Sequence, residues 1–146
     1  MSEMKLILFT IEKQLFGLSI RDIARVTQAV TLKKIPTQSP IIAGIANVHG
    51  ELIPVLNTRV LFNLPPREIA LYDNFIQLNA GQAAFMLVVD AVLFIHEYTQ
   101  DDYIPAQQFC PEQIHYIDEV VKQEGEIVFV LNAHKIATDI LGKWSS

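Results

Sequence analysis

Two similar octapeptides occur in this chain of 146 residues, and this internal repeat limits the folds that the chain can adopt. Residues 50–57 read GELIPVLN and residues 125–132 read GEIVFVLN, so five of the eight positions are identical. Each copy follows an apolar stretch typical of a strand and precedes a stretch typical of a helix. Two such units in one chain predict two similar lobes with mostly β content.

The repetition extends upstream of each octapeptide. Residues 4–20, MKLILFTIEKQLFGLSI, alternate around a polar turn and predict a hairpin. Residues 74–90, NFIQLNAGQAAFMLVVD, repeat the scheme with a turn at 79–82. An extended stretch follows each hairpin and ends in Ile-Pro, at 35–36 and at 104–105. Short antiparallel strands at such spacing close into small barrels, which removes exposed edges, so an all-β fold with short helices is expected.

The two extended stretches carry apolar residues at matching places. Ile23 and Val26 correspond to Val92 and Ile95. Members of each pair are an odd number of positions apart, so they cannot both face the core of a regular strand. One of each pair is expected to line a groove between the lobes, and residues 64–73 are expected to cross from one lobe to the other.

Composition narrows the class of function. Apolar residues make up 51% of the chain and charged residues only 18%, which indicates either a deep core or a core plus an apolar surface that a partner covers. The net charge is -5, so the chain lacks the excess of basic residues that binding to nucleic acid or anionic lipid requires.

Cysteine usage and the termini indicate a compartment. Cys110 is the single cysteine, so no internal disulfide can form, which fits a reducing compartment. The amino terminus lacks the pattern of a signal peptide. The most apolar stretch, residues 83–95, is too short to cross a bilayer and carries Asp90. A soluble cytoplasmic protein is therefore expected.

The stretch NVHGELIPVLNTRVLF, residues 47–62, raises a specific question. It reads as a strand, a His-Gly turn, a second strand and a helical tail, and Pro54 removes a ladder donor from the second strand. One interpretation is a catalytic loop around His49. The other is that the proline marks a protected or partner-facing edge.

These segments resemble the CheW-like family, the coupling proteins of bacterial chemotaxis arrays. Residues 8–26, LFTIEKQLFGLSIRDIARV, are similar to the family's opening hairpin and the strand after it. Residues 40–62, PIIAGIANVHGELIPVLNTRVLF, are similar to its central signature, and LVVDAV at 87–92 matches a motif after its second hairpin. The resemblance covers nearly the whole chain.

The resemblance implies a single domain, 1–146, made of two intertwined five-stranded SH3-like β-barrel lobes. Lobe one is expected at about 14–63, and lobe two at about 1–13 plus 64–146. It also implies no enzymatic activity, no cofactor and no metal. The implied partners are a chemoreceptor's helical tip and the regulatory domain of a histidine kinase, with no nucleic acid and no direct membrane insertion. The protein would reach receptor arrays at the membrane only through these partners.

Site residues follow from the same resemblance in three groups. The receptor-binding residues are expected to be Ile23, Arg25, Val26, His49 and Ile95. The kinase-binding residues are expected to be Pro40 and Gly44. Structural roles within the signature are expected for Asn47, Gly50, Pro54, Arg59 and Asp90.

The signature departs from the family pattern at several positions. His49 stands where the family has Arg, and Asn57-Thr58 stand where it has Asp-Leu. In the extended strand, Arg25 replaces the acidic residue that members often carry before Val or Ile. Arg and His are not equivalent, since Arg offers a permanently charged fork. The identity of the partners is therefore expected to differ from that of a typical member.

Rival interpretations stay open from the residues alone. A related alternative is a coupling protein of another kinase pathway, such as pilus-based surface motility. An alternative of a different class is a small β-barrel enzyme that uses His49 or Cys110, the latter with nearby His115. Asp90, inside an apolar run, is either a buried catalytic acid or a residue bonding the amides of its own turn. Arg59, like Arg25, is either a solvated charge or an anchor at an interface.

Overall fold

The structure is a computed structural model that describes residues 3–36, 39–105 and 115–142. The strands and helices in these ranges are β1 (Glu3–Ile11), β2 (Gln14–Ser19), β3 (Ile23–Gln28), β4 (Ile42–Val48), β5 (Glu51–Leu56), α1 (Thr58–Leu61), β6 (Asn74–Ala80), β7 (Ala83–Val89), β8 (Ala91–Thr99), β9 (Tyr103–Pro105), β10 (Ile117–Gln123), β11 (Glu126–Leu131) and α2 (Ala133–Ile136). Short 3-10 turns follow β2 and β8, and a π-helical turn, Ala137–Leu141, continues α2. The all-β expectation is confirmed.

Both octapeptides form a strand followed by a capped helix. In the first, β5 leads to α1, and the side chain of Asn57 accepts the N–H of Val60 at 3.3 Å. In the second, β11 leads to α2, and Asn132 accepts the N–H of Lys135 at 3.0 Å. The final Asn of each repeat is therefore a helix N-cap, which satisfies an amide that has no partner within the helix.

The strands form two sheets of similar topology. The order in the first sheet is β8-β1-β2-β11-β10-β9, and the order in the second sheet is β3-β6-β7-β5-β4. Neighbouring strands are antiparallel except β2 with β11 and β5 with β7, which are parallel. Each parallel pair joins the second strand of a hairpin, β2 or β7, to an octapeptide strand, β11 or β5, so the internal repeat is also a repeat of pairing.

The two halves of the chain exchange their first hairpins. Hairpin β1–β2 pairs with β8 and β11, which come from the second half, whereas hairpin β6–β7 pairs with β3 and β5. The second sheet therefore contains β3 to β7, and the first sheet contains the strands before and after them. These divisions differ from the expected lobe boundaries at 13/14 and 63/64. Residues 64–73 connect α1 to β6 within the second sheet. The chain passes between sheets at Ile20–Asp22 and at Asp90, and this corrects the expected crossing.

Each sheet is closed by the segment that leaves its outermost strand. After β8, the chain turns and β9 pairs with β10 at the opposite edge. After β3, Lys33 forms a bridge with Ile45 of β4, with N···O distances of 2.9 and 2.8 Å. A segment that begins at one edge and pairs at the other forces the sheet to curl, which produces a barrel.

Apolar side chains fill three clusters rather than one. Leu8 and Val128 belong to a cluster made by strands of the first sheet, and Val55 and Met86 belong to one made by the second. The largest cluster joins both hairpins and α2, and Phe9 lies in it with no exposed surface. Both faces of β1 are buried as a result, since Leu8 and Phe9 point to opposite sides. Many of the apolar side chains of the described residues are therefore buried in these clusters.

Candidate partner-binding surface

The equivalent strands β3 and β8 each turn one matched apolar side chain inward and one outward. Ile23 and Val92 pack against the cluster between the sheets. Val26 and Ile95, three residues further along, are 38% and 58% exposed. A bulge lies between the members of each pair, and their ladder partners, Leu78 and Ile76 or Phe9 and Ile7, are two residues apart. The alternation of a regular strand therefore does not explain the difference in exposure, which depends on how the sheets pack.

Strand β8 exposes a run of three large apolar residues. Leu93, Phe94 and Ile95 are 44%, 47% and 58% exposed. The strand is the outermost in its sheet, so one row of its backbone groups is free of ladder bonds within the described chain. Sequence analysis selected Ile95 but missed Leu93 and Phe94, because a continuous apolar run is also typical of a fully buried strand.

The five receptor-binding candidates lie on three elements. Ile23, Arg25 and Val26 share β3, and Arg25 is exposed. Ile95 lies on β8 in the other sheet, and no ladder pairing joins β8 to β3 in the part of the chain that the structure describes. His49 is exposed in the turn between β4 and β5. β3 and β8 thus each expose apolar side chains, with the cation Arg25 on β3, and His49 lies on neither strand.

His49 occupies a backbone conformation that governs which residues fit there. Its φ is +51°, and that of Gly50 is +87°, as in the hairpin turn with two successive left-handed residues. Asn47 supports the turn, since its side chain accepts the N–H of Gly50 at 2.9 Å. Glu124 and Gly125 repeat these angles, at +50° and +84°. These contacts fit the structural roles expected for Asn47 and Gly50.

Pro54 lies in an interior strand, since β5 is flanked by β7 and β4. It is opposite Ile45 of β4, and the parallel pairing with β7 begins one residue later, at Val55. β5 is an interior strand from Val55 onward, but at Pro54 it has a protected edge on the side of β7, and contact of that edge with a partner stays a prediction. The proline is tolerated because it stands where β5 has a ladder partner on one side alone.

Arg59 is buried and joins three distant parts of the chain. It is 8% exposed. One guanidinium nitrogen donates to the carboxylate of Glu12 and to the carbonyl of Pro65, the latter at 2.9 Å. The other donates to both carboxylate oxygens of Asp90, at 2.9 and 2.8 Å. Burial opposes its charge, but the hydrogen bonds to Glu12 and Asp90 outweigh burial and raise its pKa. Arg59 is thus a structural cation inside the protein.

Arg67 extends this network to Asp73. Its guanidinium nitrogens donate to both Asp73 oxygens, at 2.9 and 2.7 Å, and to Asp90 at 3.0 Å. The Asp73 side chain also accepts the N–H of Ala70 at 2.8 Å. Burial alone would raise the pKa of Asp73, but the bonds from Arg67 and Ala70 lower it below its ordinary value. Sequence analysis placed residue 73 at the end of a connecting segment and did not predict the buried ion pair of Asp73.

Among the described residues, the Asp90 carboxylate bonds groups far along the chain and not the amides of its own turn, which was one of the two interpretations of Asp90. Its carboxylate accepts the N–H of Glu12 at 2.9 Å, from a residue 78 positions away. Its own N–H donates to the carbonyl of Thr10, also at 2.9 Å. Asp90 therefore fixes the β1–β2 turn to the passage between the sheets. No local sequence pattern predicts the contact between Asp90 and Glu12, because the contact depends on how the sheets pack.

The two kinase-binding candidates differ in exposure. Pro40 is exposed and lines an open surface groove of about 690 Å³ with Leu71, which is 70% exposed. Gly44 is buried beneath the segment that closes the barrel. A Cβ atom at Gly44 would lie 2.9 Å from the carbonyl oxygen of Lys33 and 3.0 Å from the Cβ of Leu32. Gly44 therefore has a packing role, and contact with a kinase stays a prediction.

A family model described as a CheW-like domain matches residues 5–141. The chain belongs to the CheW-like family. It is 24% identical over 139 residues to the chemotaxis protein CheW of Treponema pallidum (strain Nichols), covering 92% of this chain and 82% of that protein. It is 23% identical over 140 residues to CheW of Bacillus subtilis (strain 168), covering 90% and 85%. The CheW-like match thus spans both sheets.

A solved structure shows the same architecture. The scaffolding protein TtCheW from Thermoanaerobacter tengcongensis superposes with a TM-score of 0.86 at 23% sequence identity, covering 97% of this chain and 96% of that one. The CheW fold consists of two SH3-like lobes. The two-lobe fold expected from the internal repeat is therefore confirmed.

The structure describes two residues of the enzyme alternative, His49 and His115, and they lie in different turns. His49 is exposed in a hairpin turn, and Cys110 lies outside the described residues. His115 contacts Asp139, with Nε2 2.6 Å from a carboxylate oxygen. Within 3–36, 39–105 and 115–142, no three His, Cys, Asp or Glu side chains are grouped to hold a metal ion. No helix in these ranges is long and apolar enough to span a bilayer.

Proposed function

We propose that this CheW-like protein is an adaptor that couples a chemoreceptor to a CheA-type histidine kinase. The observation that carries the proposal is the pair of equivalent strands β3 and β8, which expose apolar side chains at matching positions. Exposed apolar surface of this kind, on a barrel whose interior is filled, marks a site that a partner covers. The adaptor would work in the cytoplasm and reach the membrane through its receptor.

The receptor surface of this proposal consists of Val26 on β3 and Leu93 and Ile95 on β8, with Arg25 next to Val26 in the chain. A receptor tip is helical, and a helix can bury an apolar face against such side chains. The apolar residues would supply most of the affinity, because desolvated central contacts dominate interfaces. Arg25 would set the choice of receptor, since charges at a rim mainly steer and discriminate.

The kinase surface of this proposal is the groove lined by Pro40 and Leu71. It is lined by apolar residues together with the charged residues Lys34, Arg67 and Glu68. A groove of mixed character suits a modest signalling contact better than a permanent interface. One rigid body that carries both surfaces would fix the spacing of the two partners.

The experiment uses two variants with opposite expected effects. Ile95→Asp places a carboxylate on the receptor surface, and Leu71→Asp places one in the kinase groove. Each variant would be tested by calorimetry against the receptor tip and against the kinase regulatory domain, after circular dichroism has confirmed folding. Ile95→Asp should weaken receptor binding at least ~10-fold, since a stranded charge costs about 2–5 kcal/mol, and should spare the kinase.

Leu71→Asp should show the reverse pattern. It should weaken kinase binding and leave receptor binding within about twofold of the parent, as expected for a change remote from the contact. A folded Ile95→Asp protein that binds the receptor as well as the parent does would remove β8 from the receptor surface. If both variants lost affinity for the receptor and for the kinase to the same extent, the two surfaces would not be separate.

A further inference from the structure

A small cavity lies beside the buried ion network, and one of its lining groups lacks a protein partner. The cavity has a volume of about 10 Å³ and is lined by Thr58, Arg59, Asp73 and Asp90 among others. Thr58 is 1% exposed, and its hydroxyl oxygen makes no hydrogen bond to the described residues. A buried hydroxyl without a partner is costly, so native proteins almost always satisfy it.

Asp73 carries the second incomplete group of this cavity. It is 1% exposed. Among the described residues, one of its carboxylate oxygens accepts from both Arg67 and Ala70, whereas the other accepts from Arg67 alone, at 2.7 Å. A carboxylate oxygen can accept two hydrogen bonds. Asp73 therefore keeps one acceptor position, and Thr58 offers one donor and further acceptor positions, at the same cavity.

Charges of both signs line the cavity and disfavour an ion as its occupant. Arg59 and Arg67 would repel a cation, and Glu68, Asp73 and Asp90 would repel an anion. A ligand for this site must be neutral, able both to donate and to accept, and no larger than one probe sphere. Water fits, since a volume of about 10–15 Å³ with two to four polar partners is what a buried water needs.

We propose that this cavity is a binding site for one ordered water, held between the hydroxyl of Thr58 and the carboxylate of Asp73. The water donates one hydrogen bond to the Asp73 oxygen that accepts from Arg67 alone among the described residues. Its hydrogen bond to the hydroxyl of Thr58 can run in either direction, because a hydroxyl both donates and accepts. It completes the network that ties α1 to the loop before β6. The family signature has Leu at the position of Thr58. The hydroxyl that would hold the water is therefore present because this chain departs from the signature at that position.

The experiment compares two substitutions at one position. Thr58→Ser keeps the hydroxyl, whereas Thr58→Val keeps the shape and removes it. Thermal unfolding of the full chain would be measured for both, with Thr138→Val as the matched control, since Thr138 is an exposed helical threonine. In the parent protein, water-to-hydroxyl nuclear Overhauser contacts and high-resolution crystallographic density would be sought at Thr58.

The sign of the shift in Tm decides between a hydrated and a dry cavity. With the water bound, Thr58→Val breaks its hydrogen bonds and lowers Tm by at least ~2 °C, while Thr58→Ser and Thr138→Val change it less. In a dry cavity, Thr58→Val removes an unsatisfied hydroxyl and raises Tm. A raised Tm would overturn the proposal, as would parent density without a water at Thr58. If Thr58→Val does not fold, the density in the parent alone decides.

Discussion

Arg59 and Asp90 form the ion pair on which the joint between the two sheets depends. Arg59 lies on α1, directly after strand β5 of the second sheet, and Asp90 is the residue at which the chain passes from β7 to β8. One guanidinium nitrogen donates to both carboxylate oxygens, at 2.9 and 2.8 Å. Glu12, in the turn of the exchanged hairpin, joins the same guanidinium.

Removing Arg59 should destabilise the protein strongly. Arg59→Met should lower the free energy of unfolding by about 3 kcal/mol, because it leaves the carboxylates of Glu12 and Asp90 without their buried cation. Urea unfolding monitored by circular dichroism measures the effect. Arg25→Met, at an exposed arginine on β3, is the control and should stay within about 0.5 kcal/mol of the parent. A loss below about 1 kcal/mol for Arg59→Met would contradict the structural role.

Asp73 should make stability depend on pH in the acid range. Its pKa in the folded protein is lowered from an ordinary value of 3.8, so folding favours the carboxylate. The stabilisation is present above the ordinary pKa and is lost as pH falls through the lowered folded value. Asp73→Asn should therefore cost about 2 kcal/mol or more at neutral pH.

The difference between parent and Asp73→Asn should shrink as the pH is lowered below the ordinary value of 3.8. Unfolding curves at a series of pH values test this. Asp101→Asn, at an exposed carboxylate, serves as the control. A parent-minus-variant difference that stays constant down to strongly acid pH would rule out Asp73 as the source.

Gly44 should be intolerant of a side chain. Gly44→Ala places a Cβ at 2.9 Å from the carbonyl oxygen of Lys33, a group that bonds Ile45 to close the barrel. The expected cost is about 1–3 kcal/mol, as for overpacking a close contact. Gly142→Ala is the control, because nothing lies within 4 Å of its added Cβ. Thermal unfolding that shows equal stability for both variants would argue against the close approach.

The left-handed backbone at His49 should restrict substitution there. His49→Asn should keep stability within about 0.5 kcal/mol, because Asn tolerates positive φ, whereas His49→Val should cost about 1–2 kcal/mol. Glu51→Val, in the adjacent strand, controls for adding a β-branched residue. Denaturant unfolding compares the three. Equal stability of the Asn and Val variants would mean that the turn relaxes to another conformation.

Arg25 should influence the choice of receptor rather than the fold. Arg25→Glu restores the acidic character that the family often has on this strand, so it should weaken binding to the native receptor and strengthen binding to a typical family receptor. Calorimetry with both receptors measures the exchange, with Lys122→Glu on β10 as the charge-matched control. If neither affinity changes, Arg25 is an ordinary solvated charge.

Much of the local structure could be predicted because each piece carries its own signal. Alternating apolar residues around a polar pair predict the β1–β2 hairpin, and the final Asn of each octapeptide caps α1 and α2. The bulge between Ile23 and Arg25 in β3 has no such local signal, and it changes the alternation that a regular strand would have. The positions of Arg59 and Asp90 could be noted in sequence, but their pairing could not.

The sequence by itself therefore determined the two strand-and-helix repeats and the hairpins, but not which apolar residues of β8 are exposed. The tertiary structure alone decided which sheet each hairpin joins, because alternation specifies a buried face but not the strand that covers it. It also decided that Arg59, Glu12 and Asp90 meet. Their separations along the chain are bridged only when the exchanged hairpins pack together, since an ion pair between distant residues has no local signature and depends on burial that the whole fold creates.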